Sequence, residues 1–179
     1  MVDDPFDAGV HRRLAIEANN SVWELLDGRP YTPEETDELL GCAYAAAYHW
    51  QRAADRGPEN TARASWLLSR CHVVLGHGEL ALHHADRCTE VVASAGLQDF
   101  DLADAREARA RALACLGRLD EAGQELVAAR AVEVADADDR DLVDDDLAAG
   151  PWFGLTEPGR SNPATQRGLG RTGSSARLG

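Results

Sequence analysis

Apolar side chains recur at helical spacing along most of the chain. Between residues 10 and 27 the positions Val10, Leu14, Ala18, Val22, Leu25 and Leu26 fall on one helical stripe, and Gly28 follows as a closing residue. Thr32-Pro33-Glu34-Glu35 is a start signal: Thr32 can cap, Pro33 suits the first helical position, and Glu35 can complete a capping box. The helix it opens carries Leu39, Leu40 and an Ala-rich stretch to about Ala54, where Gly57-Pro58 stops it. A third helix from Asn60 or Thr61 presents Ala64, Leu67, Leu68, Cys71 and Leu75 on one face. Further helices are predicted over 79–95, from Asp99 or Asp101 to 116, over 119–134, and over 138–149. Short glycine-marked connections make sequential helices antiparallel neighbours, so the fold class is all-α, with six to seven helices stacked as hairpins.

Part of this pattern returns. Leu75-Gly76 leads to Ala81, and Leu116-Gly117 leads to Ala122, an offset of 41 residues. At that offset Ala64 matches Ala105, Arg70 matches Arg111, Val91 matches Val132, and Cys88 faces Ala129. A hairpin that cannot bury its apolar face alone needs a neighbour, and a returning turn is the mark of such stacking.

The character of the chain changes at Gly150. Residues 1–149 form the predicted helical domain. Residues 150–179 hold seven glycines, three prolines and four arginines, and are expected to lack order. Within that segment Trp152, Phe153 and Leu155 are expected to cover the end of the last hairpin.

Composition narrows the partners. The 179 residues carry a net charge of −13, and all 18 basic residues are arginine. The C-terminal segment is +3, so residues 1–149 carry −16. An acidic body argues against nucleic acid, which needs clustered basic groups. No stretch approaches the roughly 18 apolar residues of a membrane span, and the acidic start is unlike a signal peptide, so the expected compartment is the cytoplasm. Cys42, Cys71, Cys88 and Cys115 sit singly in helical segments and read as small buried hydrophobes.

The turn and small-residue pattern resembles the tetratricopeptide-repeat class. Gly76, Ala81 and Cys88 occupy its small-residue places in one unit, and Gly117, Ala122 and Ala129 in the next. The resemblance spans residues 10–135, with an imperfect first unit over 10–54. Its period of 41 exceeds the usual ~34 and implies longer helices. Trp66 lies one place past the usual aromatic site, and Arg106 and Arg109 stand where buried apolar groups are expected, so acids such as Asp104, Glu107 and Glu125 must pair with them or that face is exposed. The segments at 66–70 and 99–103 are also similar to short bacterial proteins of this class. The resemblance implies a concave face built from the first helix of each unit, where a protein or peptide partner binds. On that geometry Arg63, Trp66, Arg70, Glu107 and Arg111 are the expected partner-binding residues, against the alternative that Trp66 is core and the charges are solvated.

Other chemistry is weakly supported. His72, His77, His83 and His84 fall close together, and His84 and Cys88 share a helix face at i,i+4. Neither HExxH nor paired Cys/His spacing is present, so neither a metal nor any other cofactor is expected. The acidic run from Asp136 to Asp146 lacks the Gly and Glu of a calcium loop and reads as the outer face of a capping helix. There is no nucleophile elbow, phosphate loop or dinucleotide fingerprint. The sequence therefore reads as a non-catalytic interaction module. A metal-dependent enzyme or sensor using His72, His83, His84 and Cys88 is one alternative, and a homodimer joined near Trp152 and Phe153 is another. An Arg-rich tail competing for the partner surface is a further expectation.

Overall fold

The computed structural model describes residues 7–26 and 30–155, and among them it holds seven helices and no strand. These are α1 (Ala8–Leu25), α2 (Pro33–Trp50), α3 (Pro58–Val74), α4 (Gly78–Ala95), α5 (Phe100–Cys115), α6 (Leu119–Arg130) and α7 (Ala137–Ala148). Gly28 and the segment 156–179 lie outside the described residues. Each odd helix packs against the even helix that follows it, giving hairpins α1/α2, α3/α4 and α5/α6. Successive hairpins stack through α2 on α3 and α4 on α5, and α3 also packs directly on α5. The closing helix α7 lies across α5 and α6. The fold is an all-α array of antiparallel hairpins, and among the described residues no helix is long and apolar enough to cross a membrane.

Local chemistry explains the boundaries. Thr32 accepts from the Glu35 amide, and Glu35 accepts from the Thr32 amide, so the expected capping box opens α2. α2 stops at Trp50, earlier than expected. Gly57-Pro58 is a start rather than a stop: Pro58 takes the first helical position, and the Gly57 amide donates to Asn60 Oδ1 at 2.9 Å. Asp99 does not cap α5 through its side chain, since its carboxylate instead accepts from the Ala135 amide at 3.1 Å. α6 ends at Arg130, four residues short of the expected limit, and Asp136 caps α7 by accepting from the Asp138 and Asp139 amides.

The repeat turns have matching geometry. Gly76 and Gly117 adopt φ of 73° and 75°. In the first turn the Gly76 amide donates to Val73 O and the His77 amide to His72 O; in the second, Gly117 donates to Ala114 O and Arg118 to Leu113 O. This pairing closes a helix through a left-handed residue, a conformation that favours glycine.

The main core joins Val22, Leu39, Leu67, Cys71, Ala85, Cys88 and Ala108 from the first five helices. α5 is buried nearly all round, and its alanines at 103, 105, 108, 110, 112 and 114 allow the neighbouring backbones close approach. A smaller cluster, Ala103, Ala110, Leu126, Ala129, Val143 and Leu147, seats α7, and Trp152 and Leu155 pack on it. Phe153 remains exposed.

Candidate functional site

The expected partner-binding residues come together, but mostly beneath the surface. Trp66, Arg70, Glu107 and Arg111 are 6%, 8%, 2% and 0% exposed. Glu107 Oε2 accepts from Trp66 Nε1 at 2.9 Å, and Oε1 accepts from Arg70 Nη1 at 2.8 Å. Arg111 Nε donates to the same Glu107 oxygen. Arg70 Nη2 pairs with Asp146 Oδ1 at 3.2 Å, which ties α7 to α3. Arg111 also donates to the carbonyls of Asp146 and Pro151, and Trp152 lies over its guanidinium with 4.1 Å to the ring centre. Burial pulls the Arg111 pKa down from its usual range, and Glu107 opposes that pull. These groups fix the third hairpin, α7 and the 151–155 segment in one arrangement. Only Arg63 of the five is exposed, paired with Asp101 at 2.8 Å and facing Phe100 at 5.4 Å.

Arg106 and Arg109 find acids. Arg106 pairs with Glu125 at 2.8 Å, and Arg109 pairs with Asp86 at 2.6 Å and Glu125 at 3.1 Å. Of the three acids expected for that role, Glu125 takes it, while Glu107 serves Arg70 and Arg111.

Above the buried network lies a cavity of about 280 Å³. Its walls come from α1 (Asn19, Trp23), α3 (Arg63, Trp66, Leu67), α5 (Phe100, Asp104) and α7 (Leu142, Asp146). The first helix of every hairpin therefore contributes, and α7 closes the far side. Trp23 stacks at a tilt on Trp66 with ring centres 5.7 Å apart, and it remains 46% exposed. Leu142, which lines the cavity from α7, is 55% exposed. Asp104 is buried at 6% exposure and takes no side-chain hydrogen bond or ion pair. Desolvation, with the Glu107, Asp146 and Asp101 carboxylates, pushes its pKa well above the usual range, while Arg63 pulls it down. Asp146 is raised for the same first reason, burial. Sequence reasoning missed Trp23, Asp104, Leu142 and Asp146. Trp23 sits in a first unit with no readable repeat register, and Asp146 looks like any other member of an acidic run.

A larger cleft of about 570 Å³ opens on the other side, between α2, α3 and α4, with Tyr44, Tyr48, Leu68, His84 and Arg87 in its lining. Here the histidines gather around a residue sequence reasoning passed over. The Tyr44 hydroxyl lies 3.1 Å from His72 Nε2 and 3.3 Å from His84 Nε2, and His72 Nδ1 lies 3.3 Å from His77 Nδ1. Neutral tautomers satisfy this chain if His84 donates to Tyr44, Tyr44 to His72, and His72 to His77. Burial, with His72 next, lowers the His84 pKa to about 4, and burial also lowers His72. Cys88 belongs instead to the main core, where burial pushes its thiol up to about 12. The convergence of His84 and Cys88 that the metal alternative requires is therefore not formed. Among the described residues no group of three or more His, Cys, Asp and Glu side chains is placed to hold a metal ion.

Compared with known proteins, the chain matches no family model, no curated protein and no solved structure.

Proposed function

We propose that the chain is a tetratricopeptide-like interaction module of the cytoplasm, which takes an extended segment of a partner protein into the groove between α1, α3, α5 and α7 and catalyses no reaction itself. One observation carries this reading. Two large apolar side chains, Trp23 from α1 and Leu142 from α7, stand exposed in the lining of a cavity whose Trp66 wall is already fixed by internal hydrogen bonds. A pre-ordered groove loses little entropy when a partner enters, and exposed aromatic and aliphatic anchors are the side chains that contribute most on burial. The larger cleft at Tyr44 offers area but lies away from the face shared by the first helices.

The test uses surface variants, since Trp66→Ala or Arg70→Ala would disturb the core. A displayed peptide library is selected on the wild-type protein and on Trp23→Ala and Leu142→Ala variants of unchanged helicity. The expected result is a family of related peptides held by wild type and lost by both variants. Selection of the same peptides by all three proteins would reject the groove.

A further inference from the structure

Charge around the groove closes only while Asp104 stays protonated. Four carboxylates (Asp101, Asp104, Glu107 and Asp146) meet three guanidiniums (Arg63, Arg70 and Arg111), and each guanidinium is engaged by an acid other than Asp104. Arg63 is held by Asp101, Arg70 by Glu107 and Asp146, and Arg111 by Glu107. Asp104 is left in the cavity wall, buried and without a partner. Burial disfavours its charged form, and Arg63 only partly offsets that cost. The lining includes Trp23, Trp66, Phe100 and Leu142. Arg70 already lies 5.7 Å from the Trp66 ring centre and Arg63 5.4 Å from that of Phe100, which leaves half-exposed Trp23 as the ring open to an incoming cation.

From this juxtaposition we propose that the groove is built around a subsite for one basic side chain, a lysine or arginine of the bound partner segment, whose charged head pairs with Asp104 and whose stem lies among Trp23, Trp66 and Phe100. The inference rests on the groove reading above and names the chemistry of its anchor. The incoming cation supplies the positive charge that an ionised Asp104 lacks. It meets no unpaired cation on the way in, because Arg63 at the rim is already held by Asp101. The acidic balance of the whole chain, −13, favours approach of a basic segment at low salt.

The subsite has a protonation consequence. Burial first, then Glu107 and Asp101 on α5 and Asp146 on α7, favour neutral Asp104. Arg63 on α3 opposes them, the Cys88 thiol of α4 faces it uncharged, and α1 contributes only Asn19 and Trp23 to the cavity. A cation entering the site favours the carboxylate, so binding releases a proton and tightens as pH rises.

The experiment uses short fluorescein-labelled peptides of Gly, Ser and Leu with one central position set to lysine, arginine, norleucine or glutamate. Affinities are measured by anisotropy on the full chain and on its Asp104→Asn and Trp23→Ala variants, with helicity checked by circular dichroism. The lysine and arginine peptides should bind at least about tenfold more tightly than norleucine, which matches the worth of one charge-assisted hydrogen bond. Asp104→Asn should erase that preference. Should Asp104→Asn fail to fold, calorimetry of the wild type in two buffers of different ionisation enthalpy takes its place, and the lysine peptide must then show proton release that the norleucine peptide does not. Equal binding of lysine and norleucine, both lost in Trp23→Ala, would overturn the basic subsite and leave the groove standing. If no peptide binds in a Trp23-dependent way, the groove reading falls as well.

Discussion

Trp66 and Glu107 stand at equivalent places in successive hairpins, 41 residues apart, and the indole of one donates to the carboxylate of the other at 2.9 Å. Arg70 and Arg111, the next such pair, both close on the same carboxylate. Stacking one hairpin on the next therefore sets two guanidiniums and an indole around a single acid. Neither hairpin alone would hold this arrangement, so the polar network doubles as a check on register between repeats.

Glu107→Ala leaves two buried arginines without their shared anion. The expected loss is about 3–5 kcal/mol of unfolding free energy, read by urea denaturation. Glu107→Gln keeps an acceptor for Trp66 and should lose less. An Ala variant within 1 kcal/mol of wild type, roughly the worth of an exposed pair, would show that the network is solvated in solution.

The returning glycines make a second prediction. Gly76 and Gly117 both take positive φ with open space around the missing Cβ, so an added methyl acts through backbone strain alone. Gly76→Ala and Gly117→Ala should each lower stability by about 1–2 kcal/mol, and the double variant by about the sum. Gly78 differs: a Cβ there would fall 2.7 Å from Leu116 Cδ2 and 2.8 Å from its Cγ. Gly78→Ala should cost about 1–3 kcal/mol by overpacking, relieved in part by Leu116→Ala. Thermal unfolding of these variants beside wild type separates strain from crowding.

These glycines also show what was legible beforehand. Leu-Gly turns, apolar stripes and the Thr32 capping box are local signals, so six to seven helices in antiparallel order could be read from the chain. Gly57-Pro58 was harder, because the same pair can end one helix or begin the next, and Asn60 decides it by accepting from the Gly57 amide. At the site, repeat register alone paired Arg70 with Arg111, and Trp66, Arg70, Glu107 and Arg111 could be grouped from the resemblance to tetratricopeptide repeats. Their burial could not, since it depends on α7 bringing Asp146 onto Arg70 and on Trp152 covering Arg111. Asp104 had been a candidate partner for Arg106 or Arg109, and only the packing shows it without one.

The Tyr44 chain predicts an acid limb in the stability curve. His84 titrates near 4 in the fold against 6.5 in the unfolded chain, so between those values the unfolded chain binds a proton that the native state refuses. Stability therefore falls as pH drops from 6.5 towards 4, by an amount of order 1–2 kcal/mol from this residue. His84→Gln cannot titrate and should flatten that limb when the two proteins are compared by denaturant midpoint at several pH values. Parallel curves would place His84 in water rather than against Tyr44 and His72.

Asp104 acts with the opposite sign. Its folded pKa lies above its unfolded value of 3.8, so the native state takes up the proton more readily, and wild-type stability declines as pH rises from 3.8 to the folded pKa. Asp104→Asn removes the carboxyl and keeps the volume. The variant should therefore be more stable than wild type at pH 8, by about 1–3 kcal/mol, and no more stable near pH 3, where both forms are neutral. Thermal midpoints at the two pH values check it. A destabilised variant at pH 8 would mean that Asp104 already has a partner inside the fold and that the groove holds no vacant charge. A stabilised one would mark Asp104 as a residue whose charge works against folding, the pattern expected where a side chain is kept for what it binds.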